Sequence, residues 1–319
     1  MPVLPRIKKC KIQPSKKKCY PPSSLSDGRY GKILDNIIGT KGVEKHMEIN
    51  GKTRITGLFG YPVEHTLSPA MHNAAFRALE LNYCYVPFLV HPDSLSSAVL
   101  GIRAMNLAGV NVTVPHKERV IPLLDEVSEE ASFIGAVNTI VHSQGKLSGY
   151  NTDGRGFMQS LAEQGITVEG SDVLIVGAGG ASRAISYYIC QKANSLSLFD
   201  IDTQKVGKLV SDLKQIRDSV SVLEDLSGIG RFPIVIQATP LGLQEGDPLP
   251  FDTAKLGKDQ TVCDLIYKKT RLLAKAEEAG CVTLNGLGML LWQGVFAFEL
   301  WTGVKPDVAI MRNALLSHG

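Results

Sequence analysis

Residues 172–183 have the sequence DVLIVGAGGASR, which joins a short apolar run to a glycine-rich turn. The four apolar residues 173–176 indicate a fully buried strand, and the residues after the glycines favour a helix. Glycines at this point let the backbone approach a pyrophosphate, and the free N–H groups of a helix N-terminus attract an anion. The stretch therefore predicts a dinucleotide-binding unit of a parallel α/β sheet.

An acidic residue further along the chain supports this interpretation. Asp200 follows the apolar segment Ser195–Phe199, about twenty residues beyond the glycines, where a carboxylate would hold an adenosine ribose. Ser182 occupies the position of the usual third glycine. The alternative is a purely structural turn, with Asp200 serving only as the cap of the next helix. The predicted cofactor-binding residues here are Gly177, Ala178, Gly179, Gly180, Ala181 and Asp200.

Strand-like and helix-like segments alternate on both sides of this unit, from Thr53 onward. Such alternation predicts an α/β fold of largely parallel sheets with helices on their faces. At 319 residues the chain has room for two domains, since domains usually contain about 100 to 200 residues. Helical patterns cover residues 94–105 and the stretch beyond Met289. The further strand-like patterns cover residues 54–59, 83–90, 109–114, 234–238 and 261–265.

The first 46 residues differ from the rest in charge and composition. They contain eleven Lys and Arg against three Asp and Glu, whereas residues 47–319 contain 23 against 28. The segment is rich in Pro, Lys and Ser and has no apolar period, so we expect a disordered basic tail. We interpret its charge as solvated and expect no nucleic-acid partner.

Composition also excludes several classes of protein. No run of about 18 apolar residues occurs and no apolar segment follows the basic N-terminus, so we expect a cytoplasmic protein without a membrane partner. The six cysteines are scattered, without the spacing of metal ligands, so we expect reduced thiols and no metal site.

A helix start at Ser68-Pro69 is the first candidate substrate contact. Serine before proline predicts an N-cap followed by the first helical turn. With the hydroxyl of Thr66 beside it, the same helix N-terminus also suits a carboxylate. The structural and the functional interpretations are compatible.

Three further motifs supply polar groups at predicted turns. NVTVPHK at residues 111–117 ends a strand in a proline turn, at the sheet edge where α/β sites gather. GAVNT at 135–139 and GYNTDG at 149–154 add amides and a carboxylate, which turn chemistry alone would also explain. If Lys117 and Asp153 face one another, they can relay a proton during hydride transfer; a surface lysine is the alternative. The rival acid–base candidates are His65, His116 and His72, of which His72 is expected to be structural.

Taken together, these motifs resemble those of the shikimate dehydrogenase family, from about Arg54 to the C-terminal helix. The matching stretches occur in the family's order. They are GYPVEHTLSPAMHN at 60–73, NVTVPHK at 111–117, GAVNT at 135–139, NTDG at 151–154, GAGGASR at 177–183 and LGMLLWQ at 287–293. The resemblance implies reversible, NAD(P)-linked reduction of 3-dehydroshikimate to shikimate, in the biosynthesis of chorismate and the aromatic amino acids.

The resemblance also implies a domain plan and a set of site residues. A disordered tail (1–46) would precede a substrate-binding catalytic domain (47–155), a Rossmann-type NAD(P)-binding domain (156–288) across a cleft, and C-terminal helices (289–319) returning to the catalytic domain. Lys117 would be the catalytic acid–base, assisted by Asp153. Leu265, Gly286 and the glycine turn would hold the cofactor. The implied substrate-binding residues are Thr66, Ser68, Thr113, Asn138, Asp153, Tyr267 and Gln293.

Two departures from the family pattern leave the cofactor and the second substrate open. Thr66 replaces the usual serine, and Asp200-Ile201-Asp202 replaces the usual Asn-Arg-Thr. The acidic version resembles the NAD-using quinate/shikimate dehydrogenase branch. NAD and NADP therefore both remain candidate cofactors, and quinate remains a candidate substrate beside shikimate. A catabolic quinate/shikimate dehydrogenase is the first alternative. A non-catalytic nucleotide sensor is a remote one, because a sensor needs neither Lys117 nor Asp153. A homodimer is also expected.

Overall fold

The computed structural model describes residues 48–318, in which twelve strands and nine α-helices form two sheets with their covering helices. The predicted disordered tail lies outside these residues. None of the helices described is long and apolar enough to cross a lipid bilayer. Single 3₁₀ turns occur at Pro92–Ser94, Ile121–Leu123, Ile229–Arg231 and Thr253–Lys255.

The first sheet has the strand order β2-β1-β3-β5-β6-β4. Its strands are β1 (Arg54–Gly60), β2 (Tyr83–Leu89), β3 (Gly109–Val112), β4 (Glu126–Val127), β5 (Thr139–Ser143) and β6 (Lys146–Tyr150). Its helices are α1 (Ser68–Ala78), α2 (Leu95–Ala104) and α3 (Glu129–Ile134). Apolar residues on both faces of this sheet form two buried clusters.

One part of the first sheet differs from the largely parallel arrangement that the sequence predicts. Strand β5 pairs antiparallel with both β3 and β6, while β1, β2 and β3 are parallel. The reversal between β5 and β6 occurs at Gln144 and Gly145, which have φ angles of 51° and 80°. Two successive residues with positive φ form the tight turn that suits a two-residue hairpin.

The second sheet is parallel throughout, with the order β12-β11-β10-β7-β8-β9. This is the doubly wound order, in which the chain changes direction between β7 and β10 and a ligand crevice opens beyond the strand ends. Its strands are β7 (Asp172–Val176), β8 (Ser195–Phe199), β9 (Val220–Val222), β10 (Ile234–Gln237), β11 (Thr261–Asp264) and β12 (Val282–Leu284). Helices α5 (Gly180–Lys192), α6 (Thr203–Lys214) and α7 (Arg271–Glu278) belong to it.

Two helices connect the sheets. Helix α4 (Asp153–Glu163) leads from the first sheet to the second, and α8 (Leu287–Thr302) follows the last strand of the second. Helix α8 packs against α4 and α1, and α9 (Val308–Leu316) packs against α1. The boundary placed between residues 155 and 156 falls within α4, and the domain limits stay a prediction.

Candidate active site

A cavity of about 420 Å³ collects side chains that follow β1, β3 and β11, together with residues of α8. Polar groups therefore gather beyond the carboxyl ends of the strands, where ligands bind in α/β folds. The cavity brings together all of the residues predicted to contact substrate, with Lys117, Leu265 and Gly286 beside them. Those predicted substrate contacts are Thr66, Ser68, Thr113, Asn138, Asp153, Tyr267 and Gln293.

Lys117 and Asp153 form the charged pair of the cavity. The Lys117 Nζ atom lies 2.6 Å from Asp153 Oδ2, and the two side chains are 28% and 10% exposed. Asp153 is the first residue of α4, where the helix dipole favours a negative charge. The lysine thus has a partly shielded proton on a short hydrogen bond and faces the space that a ligand would fill.

The amide of Asn138 holds the carboxylate of this pair. Its Nδ2 atom donates to Asp153 Oδ1 at 2.8 Å and to Thr152 Oγ1 at 2.9 Å. Its Oδ1 atom accepts the Thr152 N–H at 2.9 Å. Because both ends of the buried amide have fixed partners, the Asp153 carboxylate is constrained to face Lys117.

The start of α1 brings two hydroxyls to the cavity wall and corrects one prediction. Ser68 is the first helical residue, and the N-cap position belongs to Leu67, which has no capping side chain. The Thr66 hydroxyl accepts the Ser68 N–H at 3.3 Å. Since the Ser68 hydroxyl is not used to cap the helix, it remains available to the cavity, together with free N–H groups of the first turn.

The loop after β11 forms the opposite wall and carries Leu265 and Tyr267. Buried Asp264 anchors this loop by accepting the Ile266 N–H at 3.1 Å and the Thr270 hydroxyl at 2.7 Å. Burial raises the pKa of the Asp264 carboxyl above its ordinary value. The anchored loop leaves the Tyr267 side chain 44% exposed at the cavity rim.

Helix α8 completes the cavity with Gln293 and begins after a close contact at Gly286. A Cβ atom at Gly286 would lie 2.0 Å from the Leu265 carbonyl oxygen, so only glycine allows this approach. The Gln293 Nε2 atom donates to the Leu290 carbonyl at 2.8 Å. That bond orients the Gln293 amide while its side chain still lines the cavity.

The glycine turn lies outside this cavity, beyond the end of β7. Gly177 has φ of 112°, and a Cβ there would approach the Ala238 backbone to 2.9 Å. Ser182, in place of the third glycine, is fully buried and donates its hydroxyl to the Gly177 carbonyl at 2.6 Å. Gly179 and Gly180 have open space where a Cβ would point, and α5 starts without a side-chain cap. These features suit the close approach of an anionic pyrophosphate.

Asp200 contacts this turn directly. Its Oδ2 atom accepts the Ala178 N–H at 2.6 Å, and its Oδ1 atom accepts the Asp202 N–H at 2.9 Å. The alternative that Asp200 only caps the next helix is wrong, since Asp202 is the N-cap of α6 and accepts the Lys205 N–H. A carboxylate has about four acceptor sites, so Asp200 can still accept from a ligand.

The three rival histidines differ in position. His65 is exposed and lines the cavity. His116 is buried and its Nε2 atom lies 2.8 Å from the Val90 carbonyl oxygen. His72 is buried among aromatic rings, and burial lowers its pKa to about 3. Neither His72 nor His116 lines the cavity, which leaves His65 as the one rival that a ligand could reach.

Sequence reasoning missed two polar residues, Asn111 and Tyr85. Asn111 lines the cavity, and Tyr85 lies behind it with its hydroxyl 2.9 Å from Asn111 Oδ1. Asn111 belongs to the NVTVPHK motif, but it lies within the strand, before the proline turn in which polar site residues were expected. Tyr85 resembles any buried aromatic residue of an alternating strand, so the sequence carries no signal for it.

The cysteines among residues 48–318 do not form a metal centre. Four of them are free and buried. Burial raises the pKa of the Cys190 thiol to about 11 and that of Cys263 to about 12. No group of three or more potential metal-binding His, Cys, Asp or Glu side chains occurs in this part of the chain.

A doubly wound sheet with a glycine turn, beside a cavity holding a paired lysine and aspartate, defines the class of nicotinamide dinucleotide-dependent oxidoreductases. Two family models match the chain. One describes the shikimate dehydrogenase substrate binding domain and matches residues 58–140; the other describes the shikimate 5'-dehydrogenase C-terminal domain and matches residues 286–316. The chain belongs to the shikimate dehydrogenase family.

Individual relatives match this chain over almost their whole length. A shikimate dehydrogenase (NADP(+)) of Desulforamulus reducens is 49% identical over 282 residues, which is 85% of this chain and 97% of that protein. A shikimate dehydrogenase solved in complex with NADP⁺ has a TM-score of 0.81 at 38% identity, with 86% of this chain and 99% of that one covered. A shikimate 5-dehydrogenase of Listeria monocytogenes, solved with shikimate and NAD, has a TM-score of 0.78 at 39% identity, with 84% and 98% covered. The predicted two-domain α/β fold class is thereby confirmed.

Proposed function

We propose that this chain catalyses the reversible reduction of 3-dehydroshikimate to shikimate with a nicotinamide dinucleotide, a step towards chorismate and the aromatic amino acids. The observation that carries the proposal is the Lys117–Asp153 pair at 2.6 Å, on the wall of a cavity lined by hydroxyls and amides. A carbonyl that accepts a hydride needs a proton donor within hydrogen-bond reach, and Lys117 provides one.

In the proposed mechanism Lys117 and Asp153 act as one unit. When bound, the reduced cofactor supplies the hydride, which forms a C–H bond at C3 of 3-dehydroshikimate as the carbonyl π electrons move to oxygen. Lys117 donates its proton to that oxygen and becomes neutral, and Asp153 orients the amine towards it. In the reverse direction neutral Lys117 takes the proton from the C3 hydroxyl, and its positive charge is stabilised by Asp153.

The remaining cavity residues would bind and orient the ring. The Thr66 and Ser68 hydroxyls, beside the free N–H groups of α1, suit the substrate carboxylate. Asn138 fixes Asp153, as its hydrogen bonds indicate. The other proposed contacts to the ring hydroxyls are Thr113, Tyr267 and Gln293.

We propose NAD as the preferred cofactor, bound at the glycine turn with Leu265 and Gly286 near the nicotinamide. The Asp200 carboxylate can accept hydrogen bonds from the ribose hydroxyls of NAD, whereas the 2′-phosphate of NADP would place like charges together. Such repulsion can cost several kcal/mol; after solvent screening we expect a preference of roughly ten- to a hundredfold in kcat/KM. Relatives named for NADP(+) make the family default the opposite one, while the Listeria structure holds NAD.

Three further proposals concern the second substrate, the location and the assembly of the protein. Quinate would be a second substrate, since the acidic loop at Asp200 and Asp202 resembles the quinate/shikimate dehydrogenase branch. A cytoplasmic location agrees with the buried free thiols. The homodimer stays a prediction.

An initial-rate matrix tests these proposals together. Shikimate and quinate are each assayed with NAD and with NADP. The proposed function requires turnover with shikimate, and the proposed cofactor requires a higher kcat/KM with NAD. Turnover with quinate but not shikimate would favour the catabolic alternative, and no turnover in any combination would favour the nucleotide sensor.

A further inference from the structure

Tyr85 places its hydroxyl behind the cavity, between two residues that line it. The side chain is 2% exposed, and its hydroxyl donates to Asn111 Oδ1 at 2.9 Å. The Ser68 side chain lies close enough to this phenol to lower the pKa of Tyr85, although burial raises it by more. One buried hydroxyl therefore lies between the start of α1 and the end of β3.

Helix α1 holds Tyr85 in place through two consecutive residues. The Asn73 Nδ2 atom donates to the Tyr85 carbonyl at 3.0 Å, and Asn73 Oδ1 accepts the Tyr85 N–H at 2.8 Å. The His72 ring stacks on the Tyr85 ring with centroids 4.5 Å apart and planes 11° from parallel. Since neither His72 nitrogen has a hydrogen-bond partner among the described residues, the ring serves as a packing surface.

The hydrogen bonds of the Asn111 amide extend from Tyr85 towards the charged pair. The Asn111 Nδ2 atom donates to Thr139 Oγ1 at 3.0 Å and to the Asn138 carbonyl at 3.2 Å. With Tyr85 bonded to Oδ1, the Asn111 amide is fixed at both ends. Lys117 and Asp153 are one step further away, since the Asn138 side chain that holds Asp153 accepts a hydrogen bond from the Thr139 hydroxyl at 3.0 Å. The loss of the Tyr85 hydroxyl would therefore loosen the cavity wall before it affected the charged pair.

We propose that Tyr85 is a positioning residue of the substrate site, because its hydroxyl fixes the Asn111 amide and lies beside the Ser68 side chain, at the wall that receives the substrate. The proposal rests on the proposed function. Under this proposal, His72 and Asn73 share the role of fixing Tyr85.

The Tyr85→Phe variant tests the positioning role, because it removes only the hydroxyl oxygen of this side chain. We expect KM for shikimate to rise about tenfold, the loss expected for one buried hydrogen bond. The kcat and the cofactor KM should stay within about twofold, because the Tyr85 hydroxyl contacts neither the proton-transfer pair nor the glycine turn directly. Tyr83→Phe is the matched control: Tyr83 is on the same strand, its hydroxyl lies 3.5 Å from the Trp301 carbonyl, and it does not line the cavity.

A double-mutant cycle separates positioning from general destabilisation. In a Ser68→Ala background, Tyr85→Phe should raise KM less than in the wild type, because the Ser68 hydroxyl that lies beside the phenol is already absent. Asn73→Asp keeps the acceptor for the Tyr85 N–H but loses the donor to its carbonyl, so it should raise KM in the same direction even if Tyr85→Phe does not fold.

The outcomes are distinguishable. Absence of shikimate turnover in the wild type would overturn the proposed function and this assignment with it. Normal wild-type turnover with an unchanged KM in Tyr85→Phe, an equal KM change in Tyr83→Phe, or full additivity with Ser68→Ala would overturn the positioning role alone.

Discussion

At the scale of single residues, the proton on Lys117 is the group whose loss should have the largest effect. We predict that Lys117→Met lowers kcat by about 10²- to 10⁴-fold, the usual contribution of a general acid–base, and changes KM for shikimate far less. Lys146→Met is the control, since Lys146 also pairs with a carboxylate, Glu126 at 2.7 Å, but on the exposed surface. Near-normal turnover in Lys117→Met would remove this lysine from the mechanism.

The adenosine side of the glycine turn gives a second prediction for single side chains. Ile201 is 92% exposed beside Asp200, so an arginine there would reach solvent next to the expected ribose position. In Asp200→Asn/Ile201→Arg, the preference for NAD in kcat/KM should shrink or reverse, because a guanidinium pairs bidentately with phosphate. KM for shikimate is the internal control, since neither residue lines the cavity. An unmodified enzyme that prefers NADP would show that Asp200 does not face the ribose.

The polar residues of the site were predictable from sequence where a motif places them in a turn, as at Lys117 and Asp153. Their mutual distance was not, because it depends on how α4 approaches the turn after β3. The role of Asp200 was predictable only in part, since its contact with Ala178 N–H depends on the loop conformation. Ser68 was misplaced as an N-cap because a Ser-Pro pair looks the same whether the serine caps its own helix or lines a cavity.

At the scale of helices, the contact between α4 and α8 depends on a missing side chain. A Cβ at Gly156 would lie 2.7 Å from the Gln293 backbone nitrogen and 3.0 Å from the Met289 carbonyl oxygen. Gly156→Ala should therefore separate the helices that carry Asp153 and Gln293. We predict a loss of about 1 to 3 kcal/mol in the free energy of unfolding, measured in urea, with a raised KM for shikimate.

Gly207→Ala on α6 is the matched helical control. Nothing lies within 4 Å of a Cβ at this position, so alanine should stabilise the helix by up to about 1 kcal/mol. If Gly156→Ala were as stable as the wild type, the close packing of α4 on α8 would not matter to the fold.

The strands were predictable from sequence where their apolar runs are long. The direction in which the strands pair was harder to predict. The strand predicted at 109–114 ends at Val112, because the polar turn that carries Thr113 leaves the sheet there. The antiparallel β5 and β6 follow from a two-residue turn at Gln144 and Gly145, whose sequence lacks the Asn-Gly signal that makes hairpins recognisable.

At the scale of the whole molecule, residues 48–318 contain both sheets and all of the residues proposed to contact substrate. We predict that a chain starting at Met47 keeps its folding and its turnover within about twofold, because the composition of the first 46 residues, rich in Pro, Lys and Ser without an apolar period, offers little to pack against the rest. Thermal unfolding and kcat of the full and shortened chains provide the measurement. Precipitation or lost activity of the shortened chain would show that the first residues pack on the body.

The close packing of α4 on α8 has an evolutionary consequence. Helix α4 carries the chain away from the first sheet, and α8 brings it back alongside α4. The segment between these helices therefore begins and ends at neighbouring positions. Segments with adjacent ends are the ones that genomes insert, exchange or delete without breaking the recipient core. Recombination at these helices would replace one nucleotide-binding unit by another, together with the cavity wall that carries Tyr267, while the residues after β1 and β3 stayed intact. Cofactor preference could then change within one lineage while most of the proposed substrate contacts were kept.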